Sequence, residues 1–146
     1  MEAMQKAHQL AIKAGCFGEI PIGAVIVKNG EIIASAYNTR EKDQIATHHA
    51  EIKAIEKANK KLKSWRLDDC DIYVTKEPCP MCAGAIVNAR IKNLYYAVRD
   101  PENGGITRFN ILTNTLNHTT NSFWVEKECE KNLQLIQNFF KTRRKK

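Results

Sequence analysis

Four residues in two short motifs are equipped for chemistry: His49 and Glu51 in His49-Ala50-Glu51, and Cys79 and Cys82 in Glu77-Pro78-Cys79-Pro80-Met81-Cys82. A C-x-x-C alone fits a metal site, a redox pair or plain structural packing. Pro78 and Pro80 hold Glu77 and Cys79 extended, and Pro80 then opens a helix, so both sulfurs lie on one side of its first turn. The partial positive charge of a helix N-terminus favours thiolates over thiols, which suits a metal. His49 and Glu51 are two apart, about 200° around a helix, so both serve one site only if it lies off the helix's N-terminal end. There His49 can reach a metal and Glu51 can reach what the metal binds. One histidine and two cysteines leave a fourth position open, the pattern of catalytic zinc, whereas structural sites are closed by four protein ligands. Glu51 is then the general acid/base that a hydrolytic metal site needs. His48 is the alternative histidine ligand; Cys16, Cys70 and Cys129 read as small packing residues, and His8 and His118 have no spacing partner.

The elements that must position these residues follow from periodicity. Met4, Ala7, Leu10, Ala11 and Ala14 form a helical stripe that Gly15 is expected to end. Residues 22–28 and 31–37 are β-branched runs joined by Asn29-Gly30, a strong hairpin signal, so the two strands should be antiparallel. Residues 38–47 read as a surface loop before a helix from about His48 to Lys60. Ile72–Thr75, a helix from Pro80 through Ala89, and Leu94–Val98 make a βαβ unit with parallel strands. After a loop at 99–108, residues 111–118 are ambiguous and Phe123–Val125 reads as a short strand. Glu126–Lys141 reads as a helix with Leu133, Ile136, Phe139 and Phe140 on one face. The expectation is one α/β domain over residues 1–146: a mixed sheet of about five strands with helices on both faces. Ligands of open α/β sheets bind beyond the carboxyl ends of strands, where both motifs fall.

Composition narrows the function class. A chain of 146 residues that is 43% hydrophobic can bury a core, which excludes wholesale disorder. No apolar run approaches the ~18 residues of a membrane span, and residues 1–20 lack a signal peptide's apolar centre, so a cytoplasmic protein is expected. Five cysteines with one close pair argue against a disulfide framework. The net charge of +7 is concentrated: residues 141–146 and residues 53–66 each carry +5, leaving −3 for everything else. Such segments suit an acidic partner or are simply solvated faces. The 53–66 cluster lies on the far half of its helix, away from the site, and reads as solvated surface. The 141–146 tail is the better candidate for nucleic acid.

His-x-Glu together with Pro-Cys-x-x-Cys is the signature of the zinc nucleobase deaminases. This sequence resembles the bacterial-type tRNA adenosine deaminases over nearly its whole length. The resemblance rests on Ile20–Val25, Asn38, Thr47–Ile52, Tyr73–Thr75, Glu77–Ile86, Ala89-Arg90-Ile91, Arg99-Asp100, Cys129 and Phe139-Phe140 followed by Arg143-Arg144. The zinc motifs are shared with guanine, cytosine, deoxycytidylate and riboflavin-pathway deaminases. The Ala-Gly-Ala after Cys82, Arg99-Asp100 and the Phe-Phe-basic ending point to the tRNA branch.

The resemblance implies the three-layer cytidine deaminase-like fold, one Zn2+ per subunit on His49, Cys79 and Cys82, and Glu51 as the proton carrier. The reaction it implies converts adenosine to inosine at the wobble position of a tRNA anticodon stem-loop, in a cytoplasmic homodimer. It implies substrate contacts from Asn38 and from Asp100, the latter at a ribose hydroxyl. Ile22, Val25 and Ala50 are expected to line the base pocket, with core packing the rival for the two aliphatics. Phe140 is either a stacking platform or a helix-packing aromatic, and Lys141, Arg143 and Arg144 are expected phosphate contacts. A small-molecule guanine or cytosine deaminase is the alternative function. Two loops depart from the family pattern near the expected mouth, Ile45-Ala46-Thr47 and Gly104-Gly105-Ile106-Thr107-Arg108.

Overall fold

The computed structural model describes residues 2–113 and 118–144. Of the ambiguous 111–118 segment, residues 114–117 lie outside the described residues, as do residues 145–146 of the tail and the Arg144 side chain. The elements in chain order are α1 (Glu2–Cys16), β1 (Gly23–Lys28), β2 (Glu31–Tyr37), α2 (Arg40–Asp43), α3 (Ala50–Leu62), β3 (Cys70–Lys76), α4 (Pro80–Asn88), β4 (Asn93–Val98), β5 (Asn121–Trp124) and α5 (Cys129–Arg144), the last preceded by a single 3-10 turn. The five strands form one sheet in the order β2-β1-β3-β4-β5. The β1–β2 and β1–β3 pairs are antiparallel, and β3–β4 and β4–β5 are parallel. Among the described residues no helix is long and apolar enough to cross a membrane.

Period-2 alternation distributes the strand side chains between two helix layers. Ala24 and Ile26 of β1, Ile72 and Val74 of β3, and Leu94 and Tyr96 of β4 pack with Ala50, Ala54 and Ile55 of α3 and Ala83 and Ile86 of α4. Val25 and Val27, Tyr73, and Tyr95 and Ala97 face the opposite way, against Met4 and Ala7 of α1 and Leu133 and Ile136 of α5. On that second face Tyr73, Tyr95 and Phe123 stack across three strands at centroid distances of 4.6 and 5.0 Å. The sheet between two helical layers is the architecture expected from the sequence.

The hairpin turns on Asn29 and Gly30 at φ +52° and +78°, the left-handed pair of a type I′ turn, with Lys28 opposite Glu31. α1 does not end at Gly15. It runs through Gly15 to Cys16 and is closed by Gly18 at φ +80°, whose amide bonds the Gly15 carbonyl while the Glu19 amide reaches Ala14. That is a Schellman closure, which needs its left-handed residue after the helix rather than at the first glycine met. The 38–47 loop contains the short helix α2, whose first amides are accepted by the buried Glu19 carboxylate: Glu41 N–H at 3.0 Å and Lys42 N–H at 2.8 Å. The five cysteines are free thiols, and Cys16 is exposed, unlike the packing role expected of it.

Candidate metal and catalytic site

Both motifs arrive at the same end of the sheet on adjacent helix starts. His49 and Cys79 are extended N-cap residues of α3 and α4, with ψ of 158° and 171°, and neither helix has a side-chain cap. The His49 ring is therefore free to point off the end of α3 while Glu51 sits in its first turn. Pro80 opens α4 and sets Cys82 over the same opening.

The ligand atoms of His49, Cys79 and Cys82 lie within 4.8 Å of one another. His49 Nδ1 is 3.7 Å from Cys79 Sγ and 3.5 Å from Cys82 Sγ. Tetrahedral zinc with ordinary Zn–N and Zn–S bonds separates N from S by about 3.6 Å, which both His49–cysteine distances match. The Cys82 hydrogen bond first, and the His49 contact after it, outweigh burial and together lower Cys79 to about 4. The same bond and burial push Cys82 up, and the contact with Cys79 raises His49. These donors crowd protons that a divalent cation would displace. His48, the competing ligand, turns away: its Nδ1 is 2.7 Å from Asp43 Oδ2, which also accepts the Thr39 hydroxyl at 2.6 Å.

Glu51 borders this donor set and is 4% exposed. Burial pushes its carboxyl up to about 7, beyond what its own backbone amide and His49 offset. A carboxyl poised there can accept and release a proton near neutrality.

The site opens into a cavity of about 150 Å³ lined by Ile20, Ile22, Asn38, Arg40, His49, Ala50, Glu51, Lys76, Glu77, Cys79, Asp100 and Phe140. It therefore brings Asn38, Asp100, Ile22, Ala50 and Phe140 together with the metal motif. Asn38 is buried in the wall, its Oδ1 accepting the Arg40 N–H at 3.1 Å and its Nδ2 donating to the Ile20 carbonyl at 3.4 Å. Burial raises the Asp100 carboxyl, but the Asn103 amide and the Lys76 ammonium outweigh it and hold it below the usual range. Phe140 is 40% exposed at the cavity mouth, edge-on to Phe139 at 5.3 Å, rather than in the α5 core face with Leu133 and Ile136.

Val25 does not join them. It is fully buried among α1 and α5 residues, because it is one residue out of phase with Ala24 and Ile26 and so faces the opposite side of the sheet. Arg143, expected to hold phosphate, donates to the Gly18 carbonyl at 2.7 Å and lies 4.8 Å over the Phe139 ring. Lys141 is exposed at the end of α5.

Sequence reasoning assigned no role to Arg40 and Lys76 and left Glu77 without one beyond its motif. Glu77 is 3% exposed and anchors the departing 99–108 loop. Its carboxylate accepts the Asp100, Ile106 and Thr107 amides at 3.0, 3.0 and 2.7 Å, and the Thr107 hydroxyl at 2.7 Å. Any side chain at Gly104 would collide with that carboxylate, which is why a glycine stands there. The available signal was an acidic residue between a strand and a proline, too short a pattern to reveal a partner some 30 residues away.

Comparison with known proteins agrees with this geometry. The model of the MafB19-like deaminase family matches residues 1–144. The tRNA-specific adenosine deaminase of Bacillus subtilis is 44% identical over 98% of this chain and 89% of its own. A structure from studies of A-to-I editing by tRNA:A34 deaminases superposes with a TM-score of 0.81 at 39% identity, covering 84% of this chain and 96% of that one. The guanine deaminase of Bacillus subtilis superposes with a TM-score of 0.66 at 35% identity, covering 94% and 92%. With the donor set, the buried glutamate and these relatives in agreement, the chain belongs to the tRNA-specific adenosine deaminases of the MafB19-like deaminase family.

Proposed function

We propose that this protein is a zinc-dependent hydrolase that converts adenosine to inosine at the wobble position of a tRNA anticodon. The observation that carries this reading is a three-donor His49/Cys79/Cys82 cluster beside the buried Glu51, in one small cavity of a chain 44% identical to a tRNA-specific adenosine deaminase. One zinc ion per subunit on that cluster supplies the Lewis acidity that makes water nucleophilic near neutral pH. Glu51 moves the protons. It takes one from the attacking water and gives it to N1 of the purine as C6 becomes tetrahedral, then carries the second to the amino group, which leaves as ammonia. Asn38, Ile22 and Ala50 hold the base, Asp100 accepts from a ribose hydroxyl, and Phe140 offers a ring to a neighbouring base.

The substrate partner is the anticodon stem-loop, and Lys141, Arg143 and Arg144 are its expected phosphate contacts, with Arg143 first exchanging the Gly18 carbonyl. We propose a single-domain homodimer acting in the cytoplasm. The groove between α3 and α4, flanked by the exposed Trp65, is an apolar surface that a second copy could cover. Light scattering reads the dimer directly.

The test is turnover of an anticodon stem-loop to inosine and ammonia by protein carrying one zinc, with Glu51→Ala retaining zinc and losing turnover. Zinc-free Glu51→Ala protein or an active variant overturns the assignment. The likeness to the guanine deaminase supports a second reading, a small-molecule deaminase. Faster turnover of free guanine or cytosine than of the stem-loop would establish it.

A further inference from the structure

Lys76 is the last residue of β3, directly ahead of Glu77-Pro78-Cys79, so the strand that carries the cysteine loop also fixes its place. It shares the parity of Ile72 and Val74, whose side chains face the α3 and α4 layer. An apolar residue would continue that pattern. A lysine stands there instead, and beyond the starts of the two helices its side chain emerges into the wall of the catalytic cavity. The side chain is 30% exposed, and its Nζ is 3.3 Å from Asp100 Oδ2. That contact uses one of the three donors of an ammonium.

The cavity it borders holds about 150 Å³, roughly the share of five water molecules, which suits one planar base and leaves the sugar and phosphates at the rim. The cations on that rim are Lys76 and Arg40, among lining residues that also include Glu51, Glu77 and Asp100. Arg40 also borders an adjoining groove of about 460 Å³ in which Arg40 and Arg143 are offset by Glu19 and Glu41, so that side offers a chain leaving the cavity no excess of positive charge. Lys76 supplies charge where β3 ends, beside Asp100.

We propose that Lys76 is a specificity-determining residue, binding a backbone phosphate that flanks the nucleoside in the cavity, so that a base is taken as part of a phosphodiester chain. This rests on the RNA-deaminase reading above and names a contact within it. Asp100 serves as the resting partner of the ammonium and keeps it extended toward the rim.

The experiment uses zinc-loaded protein and an anticodon stem-loop RNA carrying a single uncharged methylphosphonate at either phosphate flanking the target adenosine. Lys76→Met keeps the length of the side chain and removes its charge. It should lower kcat/KM on the native stem-loop about tenfold, chiefly through KM, the loss of one charge-assisted hydrogen bond. It should also flatten the dependence of log KM on log salt by roughly 0.7, one phosphate on a single strand. One of the two methylphosphonates should cost wild-type protein a similar factor and cost Lys76→Met nothing further, and Lys76→Arg should restore most of the loss. If Lys76 acts only by holding Asp100, the losses from Lys76→Met and from either methylphosphonate are additive, which overturns the proposal. Equal turnover of free AMP and stem-loop by wild-type protein also overturns it, because the phosphate would then belong to a mononucleotide. Zinc-loaded wild-type protein that fails on the stem-loop refutes the RNA-deaminase reading itself, before any Lys76 variant is compared.

Discussion

Glu51 and Glu77 are two buried carboxylates on the wall of one cavity, and their surroundings make them opposites. Glu77 accepts three backbone amides and a hydroxyl from the loop it anchors, all its capacity being spent on holding 99–108 in place. Among the described residues Glu51 has no such set of loop donors; burial dominates, and its carboxyl is pushed up to about 7. Residue type and exposure are alike, so what separates a carboxyl raised toward neutrality from an anchor is the supply of N–H groups aimed at the carboxylate.

The comparison breaks most sharply at turnover. Glu51→Gln should lower kcat on the stem-loop by at least ~10³-fold, the range of a lost general acid/base, with zinc content unchanged by metal analysis. Its stability should hold or rise, because no amide loses an acceptor. Glu77→Leu should do the reverse. Three amides and a hydroxyl left without a partner should cost about 3 kcal/mol in urea unfolding, with faster amide exchange across 99–108. Equal stability losses in the two variants would erase the distinction.

Protonation sharpens it. Because the folded-state carboxyl of Glu51 lies above its ordinary 4.5, folded protein binds more protons than unfolded protein between 4.5 and about 7. Glu51's contribution to the stability of zinc-stripped protein is therefore present below pH 4.5 and lost as pH rises to about 7, and that component should vanish in Glu51→Gln. Urea melts across that range measure it.

Smaller effects follow at neighbouring positions. Gly104→Ala forces a methyl group onto the Glu77 carboxylate and should cost about 2 kcal/mol, mainly as loosening of the same loop. Val25→Ala should cost about 2 kcal/mol with KM unchanged, whereas Ile22→Ala, on the cavity wall, should raise KM with less loss of stability.

Much of this is legible in the sequence. The hairpin at Asn29-Gly30, the β3-α4-β4 unit and the His49/Cys79/Cys82 cluster with Glu51 all rest on signals contained within a few residues. A left-handed turn pair, a proline at a helix start and a fixed ligand spacing are read locally. What differed rested on a choice between near-equal local signals or on partners distant in sequence. α1 runs through Gly15 to Cys16 and is closed by the Gly18 and Glu19 amides on Gly15 and Ala14, and two glycines three apart offer no local ground for choosing which of them takes the left-handed position. Val25 faces the α1/α5 layer because strand parity distributes side chains once β1 is seated between β2 and β3. The Arg143 guanidinium is engaged by the Gly18 carbonyl, 125 positions earlier.

The sequence by itself determined the chemistry: which side chains can hold a metal, which carboxyl can move a proton, and that both stand at helix starts after strands or loops. Those properties follow from residue type and short spacing. Only the tertiary structure decided which carboxylate burial dominates and which is saturated with loop donors, which lysine enters the cavity, and which aliphatic residue lines the cavity rather than the opposite core. Those follow from packing, because burial and hydrogen-bond supply are set by chain segments that meet only when the sheet and its two helical layers are assembled.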